Sequence, residues 1–284
     1  MSSSKQSPVS IPKSIKTASV ILEALSPKLA AKFAIKLFMT PIKYKLPKRE
    51  ENMDKNTQQE HITITPLNKT ICVYHYGTGA RKVLLVHGWS GRGTQLHSIA
   101  DKLIKAGYST ISFDAPAHGK SEGKTSDMTE FIGCILQLQQ QYGPFEFAIG
   151  HSLGAMAVLN AVRKGLSVKK IVTIGSGDII DDIITAFTGK LGMKIATTNK
   201  VRQQFQKKFN EPLNEYSAYM AVKQVNIPVL VLHDEDDHDV PVSAAHNIYS
   251  NLADAELYIT QGLGHRKILG DKAVINKITA FLEI

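Results

Sequence analysis

Ser152 lies between two glycines in the stretch GHSLG (150–154), which follows the apolar run FEFAI and precedes the helix-like run AVLNAV. A serine hydroxyl becomes a nucleophile when a neighbouring base takes its proton, and its attack on a carbonyl creates an oxyanion that needs fixed hydrogen-bond donors. The same residues would also suit a serine that only caps a helix. The motif alone leaves both interpretations open, so the rest of the chain has to separate them.

Four other polar segments follow short apolar runs, each where a predicted strand ends. They are HGWSG (87–91), DAPAHGKS (114–121), HDEDDHDVP (233–241) and GLGHRKIL (262–269). In a doubly wound parallel sheet, ligands bind at the carboxyl ends of the strands. We therefore expect these segments to meet near Ser152, which favours the nucleophile over the helix cap.

These segments and their order resemble the α/β-hydrolase fold family over roughly residues 60–284. The family's nucleophile elbow matches Ser152 and its neighbours, and its oxyanion-loop motif matches His87-Gly88-Trp89. Its Asp-x-x-Val-Pro segment matches residues 237–241, and its Gly-x-Gly-His matches residues 262–265. The chain order Ser, Asp, His is also the order that this family uses.

The resemblance implies a role for each matched residue. His265 would take the proton of Ser152, and Asp237 would accept a hydrogen bond from the other ring nitrogen and so stabilise the imidazolium. The backbone N–H groups of Trp89 and Leu153 would bind the oxyanion. Neither a cofactor nor a metal is implied.

The acid has competitors, because the loop after the predicted strand PVLVLHD is crowded with carboxylates. Asp236 and Asp239 flank Asp237, and Asp178 follows the preceding strand at another position that the family sometimes uses. The run HDEDDHD could also suggest a metal site, but its consecutive side chains cannot all converge on one ion. His118 and His151 flank the expected site, and we interpret both as packing residues.

The elements that must position these residues follow from the hydrophobic pattern. Two β-branched runs, HITITPL and TICVYHYG, predict a strand pair, and after them short apolar runs alternate with helix-length amphipathic segments. This alternation predicts an α/β fold with a mostly parallel twisted sheet and helices on both faces. Residues 176–226 separate two strands by far more than an ordinary connection, which predicts a helical lid insertion.

The first quarter of the chain has a different character. The net charge of +9 is concentrated in residues 1–50, which hold 10 Lys or Arg and 2 Glu. Residues 1–46 are predicted as a basic arm with amphipathic helices and a break at Ser26-Pro27, residues 47–60 as a polar linker, and residues 61–284 as the hydrolase domain. Because no recognition motif accompanies the charge, nucleic acid is not an expected partner.

The apolar helical segment within residues 14–45 must cover its apolar faces. It could pack on the body of the protein or on a second copy in a homo-oligomer, lie on a membrane surface with its lysines toward anionic headgroups, or act as a cleaved export signal. The two cysteines, Cys72 and Cys134, predict free buried thiols in a reducing compartment, and no apolar stretch is long enough to span a membrane. We expect a cytoplasmic protein with peripheral membrane association as the alternative.

The predicted function is that of a serine esterase or lipase that cleaves an ester bond of a small-molecule substrate through an acyl-enzyme on Ser152. A thioesterase or peptidase of the same fold is the alternative within the enzymes. A non-catalytic ligand-binding protein of this fold is the alternative outside them.

Overall fold

A computed structural model of the chain describes residues 11–209 and 211–283. Its centre is one mixed sheet of eight strands. In chain order these are β1 Gln58–Ile64, β2 Lys69–Tyr76, β3 Arg81–Val86, β4 Tyr108–Phe113, β5 Phe147–His151, β6 Lys170–Ile174, β7 Val229–Asp234 and β8 Ala255–Thr260. The strands lie in the order β1-β2-β4-β3-β5-β6-β7-β8.

The pairing of the strands confirms the predicted mostly parallel sheet. β1 pairs with β2 and β2 with β4 in antiparallel fashion, whereas every pair from β4 through β3, β5, β6 and β7 to β8 is parallel. The middle strands read as continuous apolar runs because helices cover them on both faces. Their carboxyl ends consequently share one edge of the sheet.

Twelve α-helices are present among the described residues. They are α1 Lys13–Leu25, α2 Pro27–Phe38, α3 Glu51–Asn56, α4 His97–Lys105, α5 Met128–Tyr142, α6 Leu153–Arg163, α7 Ile180–Lys190, α8 Ile195–Phe209, α9 Ala218–Ala221, α10 Ser243–Ser250, α11 Gly264–Lys267 and α12 Lys272–Leu282. Helices α5, α6 and α10 form one apolar core with the sheet. Helices α4 and α12 form a second core on the other face.

The long segment between β6 and β7 is helical, as the sequence predicts. It contains α7, α8 and α9 together with two short 3-10 turns. Whether this insertion acts as a lid stays a prediction.

The N-terminal helices pack on that insertion. Ser26 lies in extended geometry between α1 and α2 and caps α2, where the sequence predicts the break. The buried face of α2, formed by Ala30, Ala31 and Ala34, belongs to an apolar cluster with side chains of α7 and α8. The buried Glu23 of α1 accepts a hydrogen bond from the Lys194 N–H at 2.9 Å. The inner face of this segment therefore packs on the body of the chain, while residues 1–10 of the predicted arm lie outside the described residues.

Residues 47–60, predicted as a polar linker, instead form a 3-10 turn, helix α3 and the start of β1. Glu50 is buried there, and its carboxylate accepts the Thr94 hydroxyl at 2.8 Å and lies 3.8 Å from Arg92. Met53 is fully buried in the core beneath α4. The composition suggested a linker because a charged residue buried by specific partners looks the same in sequence as one that faces water.

No helix within residues 11–209 and 211–283 combines the length and apolar character needed to cross a bilayer. Both cysteines are buried and free, as the sequence predicts.

Candidate active site

Ser152 occupies a sharp turn between β5 and α6. Its backbone has φ 54° and ψ −121°, a conformation that costs a residue with a side chain on the order of 1–3 kcal/mol. The flanking glycines make the turn sterically feasible. A Cβ on Gly154 would lie 2.4 Å from the carbonyl oxygen of Val86, and one on Gly150 would lie 2.6 Å from Ala155 Cα. The turn at Ser152 therefore requires glycine at positions 150 and 154.

His265 Nδ1 lies 2.6 Å from Asp237 Oδ2, and this contact joins the first turn of α11 to the loop after β7. The other carboxylate oxygen of Asp237 accepts the backbone N–H groups of Asp239 and Val240 at 2.8 and 2.9 Å. Burial alone would raise the pKa of Asp237, but the hydrogen bond and charge of His265, together with these N–H groups, lower it overall. The carboxylate is thus kept ionised and aimed at the imidazole.

The competing acids are turned elsewhere. The contacts of the three alternatives are Asp178 with Asn247 Nδ2 at 2.8 Å, Asp236 with the Gly262 N–H at 2.9 Å, and Asp239 with Arg266 Nη2 at 3.2 Å. Of the four candidates, Asp237 is the one whose carboxylate meets the ring of His265.

Asp234, at the end of β7, organises the loop that carries His265. Its carboxylate accepts the N–H groups of Gly264 and Leu263 at 2.8 and 3.1 Å and the hydroxyl of Thr260 at 2.7 Å. The residue before the candidate base is therefore fixed to the sheet.

The end of β6 connects the serine to the histidine. Ser152 N–H donates to the Ile174 carbonyl at 2.8 Å, and a Cβ on the next residue, Gly175, would lie 3.2 Å from His265 Nδ1 and 3.5 Å from Asp237 Oδ2. Ser152, His265 and Asp237 thus lie at the same edge of the sheet. Within the part of the chain that the structure describes, no hydrogen bond joins Ser152 Oγ to the ring of His265. Such bonds often form only when substrate is bound.

The loop after β3 passes directly beside Ser152. A Cβ on Gly88 would lie 2.9 Å from Ser152 Cβ, so only glycine allows this approach. Among the described residues, neither the Trp89 N–H nor the Leu153 N–H has a hydrogen-bond partner. Leu153 is the first residue of α6, and the N–H groups of a first helical turn have no partner within the helix. Two free donors are therefore available near the serine hydroxyl.

Gln95, which no sequence pattern identifies, holds this loop in place. Its Oε1 accepts the Gly88 N–H at 2.8 Å and lies 3.3 Å from His151 Nδ1. His151 Nε2 in turn lies 2.9 Å from the His265 carbonyl oxygen. His151 is fully buried, and burial lowers its pKa well below the ordinary value. A neutral imidazole has one N–H, so Nε2 donates to the His265 carbonyl and Nδ1 packs beside Gln95 Oε1 without a hydrogen bond. His151 thus lies between the loop after β3 and the backbone of the candidate base.

Two more buried imidazoles pack beneath the loop. His87 accepts the Ala115 N–H through Nε2 at 3.0 Å and donates to the Gly88 carbonyl through Nδ1 at 2.7 Å. Burial lowers the pKa of His87 to about 4 and that of His118 to about 3. The ring of Trp89 meets that of His118 edge-on, with centroids 5.0 Å apart. These contacts support the interpretation of His118 as a packing residue.

Asp114, in the DAPAHGKS segment, has a structural role that was not predicted from the sequence. Its buried carboxylate accepts the N–H groups of Gly93 and Lys120 at 2.7 and 2.6 Å and the hydroxyl of Tyr74 at 2.9 Å. Burial raises its pKa despite these donors. An aspartate directly after a buried strand was the signal that could have identified it.

Comparisons with known proteins agree with this fold. A family model described as alpha/beta hydrolase fold matches residues 82–197, and one described as TAP-like protein matches residues 203–284.

Two curated relatives are lipases. The sn-1-specific diacylglycerol lipase ABHD11 of Danio rerio is 27% identical over 152 residues, which cover 48% of this chain and 43% of that protein. The chain thus matches less than half the length of that relative. The thermostable monoacylglycerol lipase of Bacillus sp. (strain H-257) is 22% identical over 208 residues, which cover 66% of this chain and 83% of that protein.

Solved structures share the fold at low identity. A lipase from Acinetobacter baumannii AYE, described as putative, superposes with a TM-score of 0.65 at 18% identity, covering 84% of this chain and 97% of that one. An esterase from Exiguobacterium antarcticum has a TM-score of 0.62 at 16% identity, covering 80% and 100%. The sheet order, the turn at Ser152 and the two family models lead to one conclusion: the chain belongs to the α/β-hydrolase fold family.

Proposed function

We propose that the protein is a serine hydrolase that cleaves carboxylic esters through an acyl-enzyme on Ser152. The observation that carries this proposal is the 2.6 Å contact between His265 Nδ1 and Asp237 Oδ2 at the edge of the sheet where Ser152 occupies its strained turn. The glycine-lined approach of the oxyanion loop to Ser152 supports the same reading.

The proposed reaction has two halves. Ser152 Oγ attacks the ester carbonyl while His265 Nε2 takes its proton, and Asp237 stabilises the imidazolium through Nδ1. The N–H groups of Trp89 and Leu153 bind the oxyanion of the tetrahedral intermediate, and removing one such donor typically costs about 3 kcal/mol of barrier stabilisation. His265 then protonates the leaving alcohol. A water molecule, deprotonated by His265, releases the acid and restores Ser152.

An acylglycerol ester is the proposed substrate class. The support comes from the printed names of the two curated relatives, a diacylglycerol lipase and a monoacylglycerol lipase. Such esters reside in membranes, and we propose that the chain reaches them through peripheral contact of residues 14–45 with the membrane surface.

A fluorophosphonate probe tests the nucleophile directly. Labelling of the wild type that disappears in Ser152→Ala supports the proposal, whereas a folded wild type that is not labelled would favour a non-catalytic ligand-binding protein. Hydrolysis is then compared across p-nitrophenyl esters of increasing chain length, a monoacylglycerol, an acyl-thioester and an aminopeptidase substrate. Preference for the thioester or the peptide would replace the ester with that bond.

A further inference from the structure

The outward face of the first two helices carries a concentration of exposed apolar side chains. Among the described residues, eight large apolar side chains are exposed, and six of them lie between residues 20 and 44. We define the α1–α2 patch as Val20, Ile21, Leu25 and Leu29, which are 50%, 55%, 75% and 51% exposed. Ile21 and Leu25 lie one turn apart on the same face of α1, Val20 adjoins Ile21, and Leu29 follows in the first turn of α2. Exposed apolar patches on folded proteins mark interaction sites.

The segment that carries the patch is strongly basic. Residues 11–45 contain seven lysines and a single acidic residue, Glu23. The carboxylate of Glu23 is buried against the insertion and accepts the Lys194 N–H, so it does not offset the lysines on the outer surface. Five of those lysines lie on the two helices and are exposed: Lys13, Lys16, Lys28, Lys32 and Lys36.

The patch is mounted on the body of the protein. The inner face of α2 packs through Ala30, Ala31 and Ala34 against α7 and α8. The two helices therefore present their outer side chains in the folded chain, without a further folding step.

We propose that the α1–α2 patch binds a membrane surface that carries anionic phospholipid headgroups. Apolar side chains inserted at the headgroup boundary and lysines facing lipid phosphates are the two contributions that hold amphipathic helices in a bilayer interface. A second copy of the chain fits this face poorly, because a symmetric contact would bring the lysines of both copies together. This proposal gives a defined surface to the membrane contact proposed above, and it does not depend on the reaction at Ser152.

The patch is connected to the candidate active site by a short strap, residues 39–46. The strap is fixed at its start, where the Met39 carbonyl accepts the Ser126 N–H at 2.8 Å. Further along, the Ile42 N–H donates to Ser90 Oγ at 3.0 Å, and Ser90 directly follows Trp89. Docking of the patch would therefore hold the rim of the site close to the lipid surface.

Co-sedimentation of the full chain with vesicles tests the proposal. We expect binding to vesicles of phosphatidylcholine mixed with phosphatidylglycerol, weaker binding to phosphatidylcholine alone, and loss of binding at high salt. Substituting Lys28, Lys32 and Lys36 by Gln removes three charges and should weaken binding on the order of 100-fold. The matched control, with Lys102, Lys105 and Lys272 changed to Gln, removes the same charge elsewhere and should bind as the wild type does.

The apolar contribution has its own variants. Ile21→Ser with Leu25→Ser should weaken binding by about tenfold or more, whereas Tyr249→Ser, at an exposed aromatic residue of α10, should not change it. Circular dichroism establishes that each variant is folded.

Ser152→Ala should bind vesicles like the wild type, so failure of the proposed reaction leaves this test intact. Equal vesicle binding by the patch variants and their controls would overturn the proposal. The same holds if the chain does not bind vesicles but forms a dimer that Ile21→Ser with Leu25→Ser dissociates.

Discussion

Asp237 directs one carboxylate oxygen at His265 Nδ1, 2.6 Å away, and anchors the other on two backbone N–H groups of its own loop. The loop's own N–H groups thus orient the carboxylate that the imidazole contacts. An anchored anion at Nδ1 holds the ring in the tautomer whose Nε2 can accept a proton. The contact distinguishes Asp237 from the other aspartates of its crowded acidic loop.

Asp237→Asn should reduce kcat about 10³- to 10⁴-fold, because an amide at this position would favour the wrong tautomer of His265 and would not stabilise its charged form. The carboxamide keeps the shape of the side chain, so the fold should be retained. The rate of fluorophosphonate labelling should fall with kcat on a p-nitrophenyl ester.

The competing acids provide the controls for this prediction. Asp178→Asn, Asp236→Asn and Asp239→Asn should each retain kcat to within about threefold, since none of these carboxylates meets His265. A severe loss in one of these three, with Asp237→Asn active, would move the acid to that position.

Gln95→Ala should lower kcat about tenfold and change KM little, because it frees the Gly88 N–H whose hydrogen bond holds the loop that carries the proposed oxyanion donor Trp89. Gln137 offers a matched control, because its side-chain amide also binds backbone groups, the Thr65 N–H and the Thr63 carbonyl. Steady-state kinetics on one ester compares the two variants. An equal effect of Gln95→Ala and Gln137→Ala on kcat would mean that Gln95 has only a structural role.

Gly154→Ala should lower the free energy of unfolding by about 2–3 kcal/mol, because its Cβ would press against the backbone of β3 at 2.4 Å. Gly189 is the matched control, as it lies in α7 and an added Cβ would meet no atom within 4 Å beyond its chain neighbours and the backbone of its own helix. Gly189→Ala should raise the free energy of unfolding by about 0.5–1 kcal/mol through its better helix propensity. Urea denaturation measures both, and a tolerated Gly154→Ala would show that the turn at Ser152 does not need this close approach.

The meeting of the polar strand-end segments at one edge of the sheet could be predicted from the sequence, because it depends on pattern. Glycines around Ser152 and polar residues at strand ends are local features, and the sheet that gathers them follows from alternating apolar runs. Gln95 could not be identified in this way, because an isolated glutamine between a loop and a helix carries no pattern. Its role depends on which backbone N–H the fold brings to it.

The same limit explains the error over residues 47–60. A polar, charged stretch predicts a linker, but Glu50 is buried by partners more than forty positions away in the chain. Long-range pairing of this kind cannot be read from composition. For the same reason, the sequence does not show which aspartate contacts His265, since adjacent carboxylates differ only in the direction in which the loop points them.

Stability should fall steeply in mild acid because of the buried imidazoles. His87 and His118 have folded pKa values of about 4 and about 3, and that of His151 is also lowered, so in the native state all three stay neutral where the unfolded chain binds protons. The unfolded state then holds more protons from the ordinary pKa of 6.5 downward, and stability decreases as the pH falls through that range. Each imidazole contributes about 0.7 kcal/mol per pH unit to the slope at pH 6.5 and about 1.4 kcal/mol per pH unit near pH 5.

Urea denaturation in steps from neutral pH to about pH 5 measures this slope for the wild type and for His118→Asn. The asparagine amide can still donate to the Pro116 carbonyl, which His118 Nδ1 contacts at 2.9 Å, but it does not titrate. The slope should therefore decrease in this variant, by about 1.4 kcal/mol per pH unit near pH 5 and by less toward neutral pH. His246→Asn, at an exposed histidine on α10, is the control for the substitution itself. Identical slopes for the wild type and His118→Asn would contradict the assignment of His118 as a buried neutral imidazole.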